Sequence, residues 1–309
     1  MTVKPRIQPF KFKPFSRRQR QVLNWWCDNS PVKDKTGIIA DGAIRSGKTI
    51  SMSLSFIIWA MTNFDNENFA LCGKTVGSLR RNVLIPLKRM LMSRGYDVEE
   101  HRTDNLWIVS DGDKNNSFWL FGGRDERSQD LIQGITLAGL FMDEVALMPE
   151  SFVNQAVGRC SVAGSKIWMN CNPAGPLHFI KKDWIDKAVE KQFLHVRFTI
   201  DDNLSLSDEI KNRLKSMFSG TFYKRYILGQ WAAAEGLIYD MFSPDIHVYP
   251  DSSIPFPDQK KTKFYVSCDY GTQNATVFLL WYQDKEGIWR CCREYYYSGR
   301  DERKQKTDA

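Results

Sequence analysis

The sequence has no Cys-x-x-Cys pair, no internal repeat, no low-complexity block and no apolar run long enough to cross a bilayer. Each absence removes a class of protein. The seven cysteines, at 27, 72, 160, 171, 268, 291 and 292, are odd in number and scattered. That points away from a disulfide framework and from a zinc site, and a reducing, cytoplasmic compartment is expected. The apolar stretch from Phe56 to Met61 is far short of the ~20 residues a membrane helix needs, so no membrane partner is expected. The first twenty residues lack the apolar core and small-residue cleavage site of a signal peptide. They also lack any acid, while carrying Lys4, Arg6, Lys11, Lys13, Arg17, Arg18 and Arg20. Those seven cations equal the net charge of +7, so the rest of the chain balances to zero. A basic arm over 1–20 fits a polyanionic partner such as DNA, and fits a solvated tail equally well.

What is present begins with 309 residues, 42% of them apolar, enough for one large domain or two. Gly42-Ala43-Ile44-Arg45-Ser46-Gly47-Lys48-Thr49 is a complete Gly-x4-Gly-Lys-Thr phosphate-binding loop. Ile38-Ile39-Ala40 reads as a buried strand before it. Thr49 to Met61, free of Pro and Gly, reads as a helix after it. In that context the loop N–H groups and the helix N-terminus attract phosphate. Lys48 reaches the terminal phosphates and the Thr49 hydroxyl holds Mg²⁺.

The pattern beyond the loop predicts strands alternating with helices, hence a mostly parallel, helix-covered sheet. Phe69–Cys72 reads as a strand, and Val76–Arg94 as a helix interrupted at Pro86. Leu106–Val109 and Ser117–Phe121 read as an antiparallel hairpin about 111–116. Leu137–Met142 and Ser165–Asn170 are further short apolar runs, and helical patterns follow at 177–190, 207–218 and 221–231. Pro244, Pro250, Pro255 and Pro257 mark a linker. Phe264–Cys268, Thr276–Tyr282 and Ile288–Tyr297 then read as antiparallel strands, the last two joined by a turn at Asp284–Gly287. The expected organisation is a basic arm (1–20), a P-loop ATPase domain (21–235), a linker (236–262) and an incomplete second domain (263–309).

Leu140-Phe141-Met142-Asp143-Glu144 supplies the acidic partner a P-loop needs, an apolar strand ending in two acids. Asp143 suits the Mg²⁺ shell and Glu144 the activation of an attacking water. Asn170 and Asn172, in Ile167–Pro173, fit either a γ-phosphate sensor or a polar turn after a core strand. Gln19, beside an amphipathic helix with Trp25 and Trp26, fits either recognition of the adenine edge or an exposed helix start. Asp269, closing a strand before Gly271, suits a metal site. With Glu294 as the one further candidate acid, it falls short of a two-metal nuclease.

Together these residues resemble the large terminase subunit of tailed bacteriophages. The resemblance runs through the Gln19 region, the Arg45-Ser46-Gly47-Lys48-Thr49 form of the P-loop and Met142-Asp143-Glu144. It continues in Asn170-Cys171-Asn172-Pro173-Ala174-Gly175-Pro176, Gly236-Leu237-Ile238-Tyr239 and Cys268-Asp269-Tyr270-Gly271. It implies an α/β, ASCE-type ATPase followed by an RNase H-like nuclease, of which this chain carries the first strands. It implies ATP hydrolysis driving double-stranded DNA into a procapsid, and a Mg²⁺- or Mn²⁺-dependent endonuclease in the full-length family protein. By carry-over, Gly42, Ser46, Gly47, Lys48 and Thr49 hold phosphate, and Thr49 and Asp143 hold metal. Glu144 is the base, and Arg45 contacts phosphate or acts in cis. Asn170 to Asn172 form a coupling motif, Gln19 lies near adenine, and Asp269 is the first nuclease carboxylate. The implied partners are the portal protein, the small terminase subunit and further copies in a homo-oligomeric ring. The implied location is the cytoplasm of the infected host, not the mature virion. A helicase-like ATPase and a non-catalytic nucleotide- and DNA-binding assembly component are the competing readings. Arg124, Arg127 and Arg159 fit a trans-acting arginine or plain surface positions.

Overall fold

The computed structural model describes residues 10–233, 244–249, 256–258, 260–270 and 275–298. Lys4, Arg6, Gly236-Leu237-Ile238-Tyr239 and Gly271 lie outside the described residues. The chain divides into two compact units, Met1–Leu237 and Ile238–Ala309.

The first unit is built on eight strands: β1 (Gly37–Gly42), β2 (Asn68–Gly73), β3 (Asp97–His101), β4 (Leu106–Ser110), β5 (Asn115–Gly122), β6 (Gly139–Met142), β7 (Lys166–Cys171) and β8 (Phe193–Phe198). Their order across the sheet is β3-β4-β5-β2-β6-β7-β1-β8. From β5 to β8 all pairings are parallel, and β3 and β4 add an antiparallel edge. β7 lies between the P-loop strand β1 and the acidic strand β6, which is the ASCE arrangement. The helices are α1 (Arg17–Asn24), α2 (Lys48–Asn63), α3 (Val76–Leu79), α4 (Ile85–Met92), α5 (Glu150–Val157) and α6 (Asp208–Met217).

Strand alternation divides the core into two layers. Ile38, Ala40, Phe69, Leu71, Phe141 and Trp168 join α1, α2 and the 76–92 helix on one face. Ile39, Ala70, Cys72, Leu140, Met142, Ile167 and Met169 meet α5 and the 180–185 turn on the other. α2 is buried almost all round, as its apolar sequence requires. Its Ser55 is satisfied by donating to the Val22 carbonyl (2.7 Å) and accepting from the Trp26 and Trp168 indoles (3.2 and 3.3 Å).

Several expected elements differ. The 76–92 helix is irregular before Pro86: Arg80–Leu84 form a π-turn, and Pro86 sits in the first turn of α4, where its missing N–H costs nothing. The 177–190 pattern yields only a π-turn over Ile180–Ile185, because Trp184 and Ile185 tuck under β8 rather than lining a regular helix. The 221–231 pattern stops at Ile227, where residues 228–233 run alongside the P-loop. α1 ends at Asn24, so Trp25 and Trp26 lie past it. Residues 10–20, expected within a free arm, belong to the folded unit. Phe10, Phe12 and Phe15 pack on the first core layer, and Arg18 pairs with Asp202 at 2.9 Å.

In the second unit, β9 (Phe264–Asp269), β10 (Thr276–Gln283) and β11 (Trp289–Tyr297) form an antiparallel sheet in the order β11-β10-β9. Asp284 caps the β10–β11 turn by accepting from the N–H groups of Glu286 and Ile288.

Candidate nucleotide site

The same alternation places the polar residues. Asp143 follows Phe141 by two, and Asn170 follows Trp168 by two, so both point to the α2 side of the sheet. There they meet the start of α2. The Thr49 hydroxyl donates to Asp143 Oδ1 at 3.0 Å. The Glu144 N–H donates to Asn170 Oδ1 at 3.4 Å. Glu144 itself adopts a left-handed backbone (φ 55°), which swings its side chain out of the strand direction. A non-glycine residue held in that conformation is strained, and such strain concentrates at functional sites. The Asn170 amide nitrogen is buried and has no hydrogen bond of ordinary length. Its pull on the adjacent Asp143 carboxylate is nonetheless felt.

The lysine of the loop is bonded to the loop itself. Lys48 Nζ donates to the carbonyls of Gly42 (3.0 Å) and Ala43 (2.6 Å), to Ser46 Oγ (3.2 Å) and to Asn172 Oδ1 (3.1 Å). Burial pulls its pKa down to about 8, against the attraction of the nearby acidic groups. Burial likewise pushes the Asp143 carboxyl up to about 6, with help from the Glu144 charge and against Asn170, Thr49 and Lys48. The site therefore stores a desolvated cation and a desolvated anion, each short of a full-strength counter-charge.

Gly42 and Gly47 take positive φ, 129° and 87°, and Arg45 joins them at 55° with its side chain exposed. A side chain at Gly47 would meet the Gln19 amide nitrogen at 2.3 Å. Gln19 is 6% exposed, so it is no solvated helix start. Its Oε1 accepts from the Ser16 N–H (2.9 Å) while Ser16 Oγ accepts from the Gln19 N–H (3.3 Å), a capping box that fixes its amide nitrogen against the loop. Asn203 was not singled out by sequence. Its amide donates to the Arg45 carbonyl at 2.6 Å and pins the tip of the loop. A lone Asn after an acidic pair carries no spacing signal that would have revealed it.

Arg124 and Arg127, with Lys74, line a cavity of about 420 Å³ at the C-terminal ends of β2 and β5, next along the sheet from β6. In the second unit Asp269 is exposed at the end of β9, opposite Val277. Glu294 shares its face, two strands over and two residues along. Strand geometry sets the two about 12 Å apart. Among the described residues, no group of three or more His, Cys, Asp or Glu is placed to hold a metal ion.

Comparison with known proteins agrees with this architecture. Residues 39–243 match the family described as terminase large subunit, T4likevirus-type, N-terminal. The large terminase of a thermophilic bacteriophage is 60% identical, with a TM-score of 0.71, over 96% of this chain and 71% of that one. The same thermophilic phage protein in complex with ATP-gamma-S matches at 58% identity and a TM-score of 0.69, with the same coverage. The HK97 bacteriophage large terminase, at 13% identity and a TM-score of 0.56 over 96% of this chain and 66% of that one, shares the fold. A search of the curated proteins finds no match. The chain belongs to the large terminase family, the ATPases of bacteriophage DNA-packaging motors. No helix among the described residues is long and apolar enough to cross a membrane.

Proposed function

We propose that the first unit binds Mg²⁺·ATP at the P-loop and hydrolyses it to drive double-stranded DNA into a procapsid. The observation that carries the reading is the convergence of Thr49, Asp143, Glu144 and Asn170 beside a P-loop whose lysine is parked on its own carbonyls. The residues fit a magnesium ion. Thr49 and Asp143 present a hydroxyl and a carboxylate 3.0 Å apart, hard oxygen donors of the kind Mg²⁺ takes together with phosphate oxygens. Burial raises the Asp143 carboxyl to about 6, and a cation beside it would favour its charged form. When bound, the ion neutralises charge on the phosphates.

The chain's own residues do the rest. Lys48 leaves the Gly42 and Ala43 carbonyls for the terminal phosphates, which frees Asn172 to report their presence. The backbone N–H groups of the loop, Gly42 to Thr49, cradle the phosphates. Glu144 accepts a proton from the water that attacks the γ-phosphorus. The buried Asn170 amide, beside Asp143, is a donor available to orient that water. Gln19 brings its amide nitrogen toward the base, and Arg45 supplies a cation from the loop tip, to phosphate or to the transition state. Asp269 offers one ligand toward the divalent metal of an RNase H-like nuclease. A portal protein, the small terminase subunit and further copies of this chain in a ring would complete the motor in the host cytoplasm. An intact Lys48 and Glu144 favour turnover over a non-catalytic assembly role. The antiparallel sheet of the second unit argues against a second RecA-like helicase domain.

The test is steady-state ATP hydrolysis with and without DNA. Parental protein should turn over. Glu144→Gln should keep ATP-gamma-S affinity and lose about 10²–10⁴-fold in kcat. A Glu144→Gln variant hydrolysing at the parental rate would remove Glu144 as the base.

A further inference from the structure

β1 carries one acidic side chain to the face of the sheet opposite α2. Asp41 immediately precedes the P-loop and is 2% exposed. Both its oxygens are engaged by residues far along the chain. Oδ1 lies 2.8 Å from the Nε2 of His195 on β8, and Oδ2 accepts from the indole N–H of Trp231 at 2.7 Å. A carboxylate this deep is tolerated only when hydrogen-bonded, and bonds to a charged acceptor are the strong ones. Asp41 makes none of the hydrogen bonds of the nucleotide site described above, and it reaches that site only through the attraction of its charge for Lys48.

Trp231 belongs to a segment that rides on the P-loop. The Ile44 N–H donates to the Tyr226 carbonyl at 2.9 Å. Gly229, at φ 63°, lies so close that a side chain there would come within 2.7 Å of the Ala43 nitrogen. Arg197 donates to the Leu228 carbonyl at 3.1 Å, and Arg225 makes two bonds to the Ala232 carbonyl. Residues 226–231 are thus attached to residues 41–44 at three points. They are among the last of the first unit, which ends at Leu237.

We infer that Asp41 is a positioning residue that carries the state of the P-loop to Trp231 and the 226–231 segment that rides on the loop. The inference rests on the reading that this loop binds nucleotide. Phosphate binding must release Lys48 from the carbonyls of Gly42 and Ala43, the two residues that follow Asp41. The strand end and loop then settle into a new geometry, and the 2.7 Å bond obliges Trp231 to follow.

The experiment uses the full chain labelled with fluorinated tryptophan and observed by fluorine NMR, together with ATP-gamma-S binding and ATP turnover. Trp231→Phe assigns the Trp231 resonance by deleting it. In the parental protein ADP or ATP-gamma-S should shift that resonance. In Asp41→Ala, which removes the acceptor that an amide would keep, the shift should vanish while the remaining tryptophan resonances are unmoved and ATP-gamma-S affinity stays within about threefold of parental. Both variants should lose roughly tenfold in kcat, the equivalent of one strong hydrogen bond. Trp231→Phe keeps an aromatic ring and removes the donor, so it carries the turnover arm if Asp41→Ala does not fold. A Trp231 resonance indifferent to bound nucleotide, or parental kcat in Trp231→Phe, overturns the inference. Failure of the parental protein to bind nucleotide at all overturns the functional reading and this inference with it.

Discussion

Replacing Asp143 by Asn should stabilise the nucleotide-free protein while ending its activity. Burial raises the Asp143 pKa from 3.8 to about 6. The folded state therefore holds its proton more tightly than the unfolded chain between those values. The stability this group contributes is full below pH 3.8 and is lost as pH rises through about 6. At neutral pH the ionised carboxylate costs about 3 kcal/mol, taking roughly two pKa units at 1.36 kcal/mol each. An amide carries no charge to desolvate and keeps an oxygen for the Thr49 hydroxyl. Asp143→Asn should then recover about 2–3 kcal/mol, or about 5–10 °C in Tm for a unit of this size. The assay is thermal unfolding in chelator across pH 5 to 8. The parental Tm should fall through about pH 6 relative to the variant, and Mg²⁺ with ADP should narrow the gap by setting a cation beside the carboxylate. A variant Tm at or below parental at neutral pH, or pH profiles that run parallel, would refute the claim that burial outweighs the partners of the Asp143 carboxylate.

Other outcomes follow from the same geometry. Asn203→Ala removes the 2.6 Å bond to the Arg45 carbonyl. One such bond is worth about 1 kcal/mol, so the Kd for ATP-gamma-S, read by calorimetry, should rise about fivefold. Deleting residues 1–9 removes Lys4 and Arg6 but leaves the folded segment that begins at Phe10. If both cations touch DNA phosphates, the slope of log affinity against log salt should flatten by up to about 1.8, and an unchanged slope identifies a solvated tail. Mn²⁺ added to this chain should leave plasmid DNA uncut, because Asp269 and Glu294 are too far apart to share a pair of ions. Cutting that disappears in Asp269→Ala would show that other acids complete the site.

The nucleotide loop was legible because its chemistry is local. Glycine at 42 and 47 permits positive φ, and the apolar strand and unbroken helix on either side supply the setting. Asp143 and Asn170 were legible for a related reason: each closes a short apolar strand, and alternation fixes the face on which it emerges. Strands without such contrast were missed. β3 reads Asp-Val-Glu-Glu-His and becomes a strand only through its pairing with β4. β8 interleaves His195 and Arg197 with its apolar residues, so no continuous run marks it. The helical patterns at 177–190 and 221–231 have the right composition, but tertiary packing turns them into π-turns and extended chain. The anchorage of the loop was invisible altogether. Asn203 and Trp231 lie 158 and 190 residues from their partners Arg45 and Asp41, and no spacing rule links them. A P-loop can therefore be found from eight consecutive residues, while what its movement does is written in side chains that meet it only after the chain has folded back on β8. That separation explains why the loop is readable as a motif and the path leading out of it only as a structure: the first is set by backbone freedom, the second by which distant donors a buried carboxylate recruits.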